Sequence, residues 1–113
     1  NRINMNNCFE EYRNKHKGKR VFLIGNGPSL KKTNLNLIKN EYSIAMNRIS
    51  LIYKDTEWRP SYYLFCSSNC DHPTWGKAWT KSILDAVNEG GTTSFIWNKY
   101  KNTIHSKYIQ NIS

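Results

Sequence analysis

Apolar residues along this chain fall into short blocks separated by polar punctuation. Val21-Phe22-Leu23-Ile24 is a continuous apolar run of strand length with Gly25 at its end, the pattern of a buried parallel strand. Tyr42-Ser43-Ile44-Ala45-Met46, Tyr62-Tyr63-Leu64-Phe65-Cys66 and Thr93-Ser94-Phe95-Ile96-Trp97 have similar length and predict three further strands. The stretch from Trp75 to Asn88 has a different period. Trp75, Ala78, Trp79, Ile83, Ala86 and Val87 recur as on one face of a helix, Thr74 stands at the expected N-cap, and Gly90-Gly91 stops it. Trp75 and Trp79, four apart, are expected to pack into the core, as are Trp58, Tyr62 and Tyr63.

Between these blocks the pattern is weaker. Leu30, Leu35, Leu37 and Ile38 predict a short helix capped by Thr33 or Asn34. Ile49 to Trp58 is ambiguous, and Arg59-Pro60 is a break because the residue before proline avoids the helical region. Cys8, Phe9 and Tyr12 predict a helical arm within residues 1–18, stopped by Gly18. Tyr100, Ile104 and Tyr108 lie at i, i+4 and i+8 and predict a terminal helix within residues 98–113.

Strands alternating with helical or loop segments predict an α/β, Rossmann-like, mostly parallel sheet of about four strands with helices on its faces. The 113 residues suit a single domain of this kind or the N-terminal part of a larger one. Right-handed crossovers align the C-terminal ends of all strands along one edge, and ligands bind beyond that edge. Gly25 to Ser29, Asn47-Arg48 and Ser67-Ser68-Asn69 each follow a strand, so all three are expected to converge there.

The loop Gly25-Asn26-Gly27-Pro28-Ser29 has the chemistry of a phosphate turn. Two glycines allow a sharp bend and close ligand approach, Pro28 suits the first position of a helix or turn, and Ser29 adds a hydroxyl donor. Lys31 and Lys32 follow and could neutralise phosphate charge, and Arg48 offers a fork of donors. An ordinary tight turn is the plainer alternative. The loop is neither GxGxxG nor GxxxxGK[ST], which disfavours dinucleotide-binding and P-loop families.

Charge agrees with an anionic ligand. There are 17 Lys and Arg against 8 Asp and Glu, a formal net charge of +9. Three cysteines make no disulfide framework, Cys66 and Cys70 lack a second pair for zinc, and no acidic metal motif is present. No apolar run is long enough to span a bilayer and no signal peptide is visible, so a cytoplasmic protein is expected, with peripheral attachment at the inner membrane surface also compatible.

The segment Val21-Phe22-Leu23-Ile24-Gly25-Asn26-Gly27-Pro28-Ser29-Leu30 resembles the N-terminal signature of bacterial sialyltransferases of glycosyltransferase family 42. It is similar also to motility-accessory-factor and pterin-diphosphokinase-like proteins. In both groups a second strand ends in Asn, matched here by Ser43-Ile44-Ala45-Met46-Asn47-Arg48-Ile49, and the resemblance covers roughly residues 19–70. The sialyltransferase resemblance implies a domain that binds a cytidine (CMP) sugar nucleotide without a metal and transfers the sugar to a glycan acceptor. It places Asn26, Gly27 and Ser29 at the nucleotide and Asn47 near the donor. The family's Asn after the third strand has only a displaced counterpart among Ser67, Ser68 and Asn69, and its general-base His has no matching segment. The diphosphokinase-like resemblance implies instead pyrophosphoryl transfer from ATP with Mg²⁺.

Bottom-up, the candidate bases are His16, His72 and His105. His72 is the strongest, because it follows the third strand and Asp71 beside it could orient the imidazole. A role for His72 in helix entry is the plainer reading. Two further functions compete: a basic nucleic-acid-binding module, which lacks any RRM, KH or helix-turn-helix signature, and a nucleotide-binding fragment without activity.

Overall fold

The structure, a computed structural model, describes residues 9–105 and 108–112. Cys8 lies outside them. Strands β1 (Val21–Ile24), β2 (Tyr42–Met46), β3 (Tyr62–Phe65), β4 (Thr93–Trp97) and β5 (Ile109–Ile112) form one sheet in that order. Every neighbouring pair is parallel. The fold is α/β and Rossmann-like, with five strands where about four were expected.

The fifth strand replaces the expected terminal helix. Ile109 to Ile112 pairs with Ser94 to Trp97, and the Ser94 N–H donates to the Tyr108 carbonyl at 2.9 Å. The fourfold spacing of Tyr100 and Ile104 serves a shorter device. The 3-10 turn Asn98–Tyr100 is followed by one bond from the Ile104 N–H to the Tyr100 carbonyl, 2.9 Å, which buries both side chains. A short terminal helix is marginal by itself, and the free edge of β4 offers a full ladder.

The connections are tighter than the apolar spacing implies. Pro28–Lys32, Leu35–Ile38, Ile49–Asp55 and Asn69–Asp71 are all 3-10 helices. Of the two proposed caps before Leu35 it is Asn34 that acts, its side chain accepting from the Asn36 N–H at 3.2 Å. The long helix α1 (Gly76–Gly90) ends at Gly91, whose φ of 61° is left-handed. Its start corrects the expectation for Thr74, which makes no side-chain cap. The Nδ1 of His72 instead accepts from the N–H groups of Thr74 and Trp75, at 3.0 and 3.4 Å. Of the expected helical arm, Phe9 and Glu10 are helical and residues 11–18 form turns, with Gly18 at φ 82°.

Side-chain alternation separates two faces of the sheet. Ser43 and Ala45, Tyr63 and Phe65, Ser94 and Ile96 are buried on one face, in a core with Leu35, Ile49, Tyr53, Trp58, Ile83, Ala86 and Val87. The crossover segments therefore collect on that face, as same-handed connections must when each steps to the next strand. Over the other face Phe9 and Tyr12 pack on Phe95, and His16 lies 4.0 Å from the Tyr42 ring while its Nε2 bonds the Tyr62 hydroxyl at 2.6 Å. That cover stops short of β1. Val21 and Leu23 are 51% and 72% exposed, so the strand expected to be fully buried is an edge strand with one open face. Among the described residues no helix is long and apolar enough to cross a membrane.

Two predictions follow from this packing. A Cβ on Gly76 would lie 2.4 Å from the Cys70 carbonyl oxygen. Gly76→Ala therefore costs roughly 1–3 kcal/mol in chemical denaturation, although alanine is the better helix former. Burial raises the Tyr53 hydroxyl from 10.0 to about 12. The folded chain holds this proton more tightly than the unfolded one, so stability is retained below about pH 10 and lost as pH rises through about 12. Among the described residues the hydroxyl has no hydrogen-bond partner. Tyr53→Phe removes that desolvated group and should thus raise neutral-pH stability by roughly 1–3 kcal/mol while weakening the alkaline fall in melting temperature; an identical fall in both proteins would refute the assignment.

Candidate functional site

Strand β1 delivers the chain to the C-terminal edge of the sheet at Gly25-Asn26-Gly27-Pro28. Pro28 opens the following 3-10 turn, and the Leu30 N–H donates to the Gly27 carbonyl at 3.0 Å. Neither Gly25 nor Gly27 has a positive φ. Gly27 sits at φ −67° and ψ 166°, open to any residue. A Cβ on either glycine would meet, beyond its chain neighbours, nothing within 4 Å among the described residues. Backbone strain and internal packing therefore give no reason for glycine here. What the pair does provide is bare backbone facing open space.

Asn26 fixes this loop. Its Nδ2 donates to the Met46 carbonyl at 3.0 Å, tying the exit of β1 to the end of β2. The next residue, Asn47, has a φ of 56°, a left-handed conformation that Asn tolerates better than most residues. Its N–H donates to the Leu64 carbonyl at 3.4 Å, and its carbonyl accepts from the Tyr63 hydroxyl. Burial pushes that hydroxyl well above the ordinary tyrosine range, which keeps it a neutral donor. The turn sends Arg48 toward α1, where its Nε donates to the Ser82 Oγ at 3.0 Å. The guanidinium carbon lies 5.6 Å from the Trp79 ring centroid.

These elements enclose a cavity of about 480 Å³, a size suited to a small ligand. Asn26, Gly27, Pro28 and Lys31 form one wall and Asn47 and Arg48 the next. Leu30, Leu51, Ile52 and Trp79 supply an apolar floor and side. The Nη groups of Arg48 and the Nζ of Lys31 have no acceptor among the described residues. The cavity thus combines uncompensated cations with an aromatic and aliphatic surface, which fits an anion attached to a ring.

Other expected site residues lie elsewhere. Gly25 precedes the cavity wall, and Ser29 is exposed with its carbonyl accepting from Thr33 Oγ1 at 3.1 Å. Ser67, Ser68 and Asn69 are not part of the wall. Their loop closes on itself instead, Ser67 Oγ accepting from the N–H and Nδ2 of Asn69 at 3.2 and 2.6 Å. His72 is also outside the cavity. Its Nδ1 is committed to the start of α1, and Asp71 pairs with Lys99 rather than orienting the imidazole. His16 is on the opposite face and His105 bonds the Asn102 carbonyl, so no histidine reaches the cavity among the described residues. Partial burial raises both the Cys66 and Cys70 thiols, the reverse of an activated nucleophile.

The apolar wall was not anticipated. Trp79 was expected in the core, and it does pack against it, but it also faces the cavity. Trp75 is 46% exposed. Among the described residues no three His, Cys, Asp or Glu side chains are grouped to hold a metal ion. No protein-family model, curated protein or solved structure matches the chain.

Because a Cβ on Gly27 would meet nothing within 4 Å among the described residues, Gly27→Ala should fold normally, with unfolding free energy within about 0.5 kcal/mol of the parent. A large loss would mean that the glycine is required by the fold and not by a ligand.

Proposed function

We propose that this cavity binds a nucleotide-activated donor and that the protein is a nucleotide-sugar-dependent, sialyltransferase-like glycosyltransferase, with a CMP-sugar as the favoured donor and a glycan as acceptor. One observation carries the reading: bare glycine backbone, two uncompensated cations and the Trp79 wall meet in one cavity beyond the strand ends. In this reading the phosphate lies against Gly27, Lys31 and the free amino groups of Arg48. The organic part of the nucleotide lies against Trp79, Leu51 and Ile52. Asn26 and Asn47 act chiefly by holding the two loops in register. The chemical contribution of these residues is to position the donor and to stabilise the charge that grows on the departing phosphate. Arg48 is suited to this because its Nε is anchored and its two amino groups are not.

Thermal unfolding in the presence of CMP, CDP, UDP, GDP and ATP, each with and without Mg²⁺, tests the proposal. CMP should stabilise the chain by about 2.7 kcal/mol at a hundred times its dissociation constant, without Mg²⁺. Gly27→Ala and Arg48→Ala should abolish that shift while leaving the unliganded protein folded. Stabilisation by ATP only, and only with Mg²⁺, would favour the pyrophosphoryl-transfer chemistry of the diphosphokinase-like resemblance. No shift with any nucleotide would refute both.

A further inference from the structure

Of the four tryptophans, Trp75 is the one that neither the core nor the cavity uses. It stands one helical turn before Trp79, whose N–H donates to the Trp75 carbonyl at 3.0 Å. Almost half of the side chain is exposed, yet the indole is held in place on two sides. One face lies flat on the His72 imidazole, with centroids 3.3 Å apart and planes 3° from parallel. Its Nε1–H donates to the Asn69 Oδ1 at 3.3 Å, and Asn69 is itself fixed by the 2.6 Å bond from its Nδ2 to Ser67 Oγ. An exposed tryptophan with no role would be free to rotate; this one is preorganised, with exposed area left for a ligand.

We propose that Trp75 is a stacking platform for a pyranose ring, the acceptor saccharide of the transfer. The inference rests on the donor reading of the neighbouring cavity. The C–H face of a pyranose is apolar and slightly positive, and complements the negative face of the indole. The polar groups around the platform suit neutral hydroxyls. Thr74, next to it in sequence, is exposed, as is Ser68, next to the Asn69 that holds the indole. His72 Nδ1 accepts backbone N–H groups, so its proton lies on Nε2, a donor with no acceptor among the described residues. The nearby Asp71 carboxylate is paired with Lys99 and the Asn69 amide is spent on Ser67 and on Trp75 itself, so neither is left to read the edge of a nucleobase, which favours a sugar over a base. With the donor against Trp79, the platform lies one turn before it, at the N-cap of the same helix.

Titration with a panel of methyl pyranosides, followed by indole N–H resonances in NMR with and without saturating CMP, tests this. The Trp75 resonance, assigned with Trp75→Phe, should move more than that of Trp79. Trp75→Ala should weaken pyranoside binding about tenfold and leave the CMP-induced thermal shift unchanged. The proposal is overturned if no pyranoside at tens of millimolar moves the Trp75 signal, or if Trp75→Ala binds pyranosides as the parent does. It is equally overturned if Trp75→Ala weakens CMP as much as the saccharide, since the ring would then hold a base. Failure of the donor reading is separately visible: the parent would show no nucleotide shift, whatever the pyranosides do.

Discussion

The Tyr63 hydroxyl is buried beneath the sheet edge, and the Asn47 carbonyl is the acceptor that satisfies it. A phenol left unpaired at that depth would carry a desolvation penalty of roughly 1–3 kcal/mol, which favours ending β2 where its next carbonyl can turn inward. That requirement is met by the left-handed turn at Asn47. Once Asn47 turns, the Met46 carbonyl is presented to Asn26 and Arg48 is aimed at α1. The exits of β1, β2 and β3 and the first turns of α1 are thereby joined through four hydrogen bonds. The cavity is a consequence of this seam: its walls are the elements that the seam holds together.

The sheet has consequences that an alternating strand pattern does not convey. Because its strands follow one another in sequence order, the order never reverses among the described residues. The cavity consequently lies beyond the adjacent ends of β1 and β2, with α1 leaning over it, rather than at a crevice between diverging connections. The same order gathers the crossovers on one face and leaves the other to Phe9, Tyr12 and His16. These three cover the middle of the sheet through rings packed tilted or edge-on against Tyr42, Tyr62 and Phe95, and they leave Val21 and Leu23 exposed.

Four of the five strands were legible because each is a short apolar or aromatic block whose neighbours cannot continue it. Val21 to Ile24 illustrates the limit of such a signal: the run reports strand and parallel pairing but not whether both faces find cover. Ile109 to Ile112 was obscured by Tyr100 and Ile104, whose helical spacing is real but is used up within a single turn. The glycine loop and Asn47-Arg48 were legible as polar or flexible residues placed just after strands. Trp79, Leu51 and Ile52 were not, since an apolar side chain that lines a cavity has the same sequence pattern as one that lines a core. Ser67 and Asn69 erred in the opposite direction. They follow a strand as required, but short polar side chains can satisfy one another locally, and here they do.

The distribution of charge sharpens the distinction between Arg48 and the rest of a strongly basic surface. Five acidic side chains are spent on cations elsewhere: Glu10 on Arg13, Glu41 on Arg20, Glu57 on Lys39, Asp85 on Lys81 and Asp71 on Lys99. Arg59 is satisfied by carbonyls, its Nη1 donating to Thr56 and Trp58 at 2.8 Å while its cation rests 4.1 Å from the Tyr53 ring centroid. Arg48 differs from all of these. Its one side-chain acceptor is the neutral Ser82 hydroxyl, which restrains the guanidinium without cancelling its charge. Half-buried beside an apolar wall, that charge is screened less by salt than those of exposed lysines. An anion entering the cavity would meet a cation already held in position, so little ordering of the side chain would oppose binding. The net charge of the chain can raise the rate of encounter with any anion, whereas a fixed, uncancelled cation such as Arg48 would favour one resting place over others.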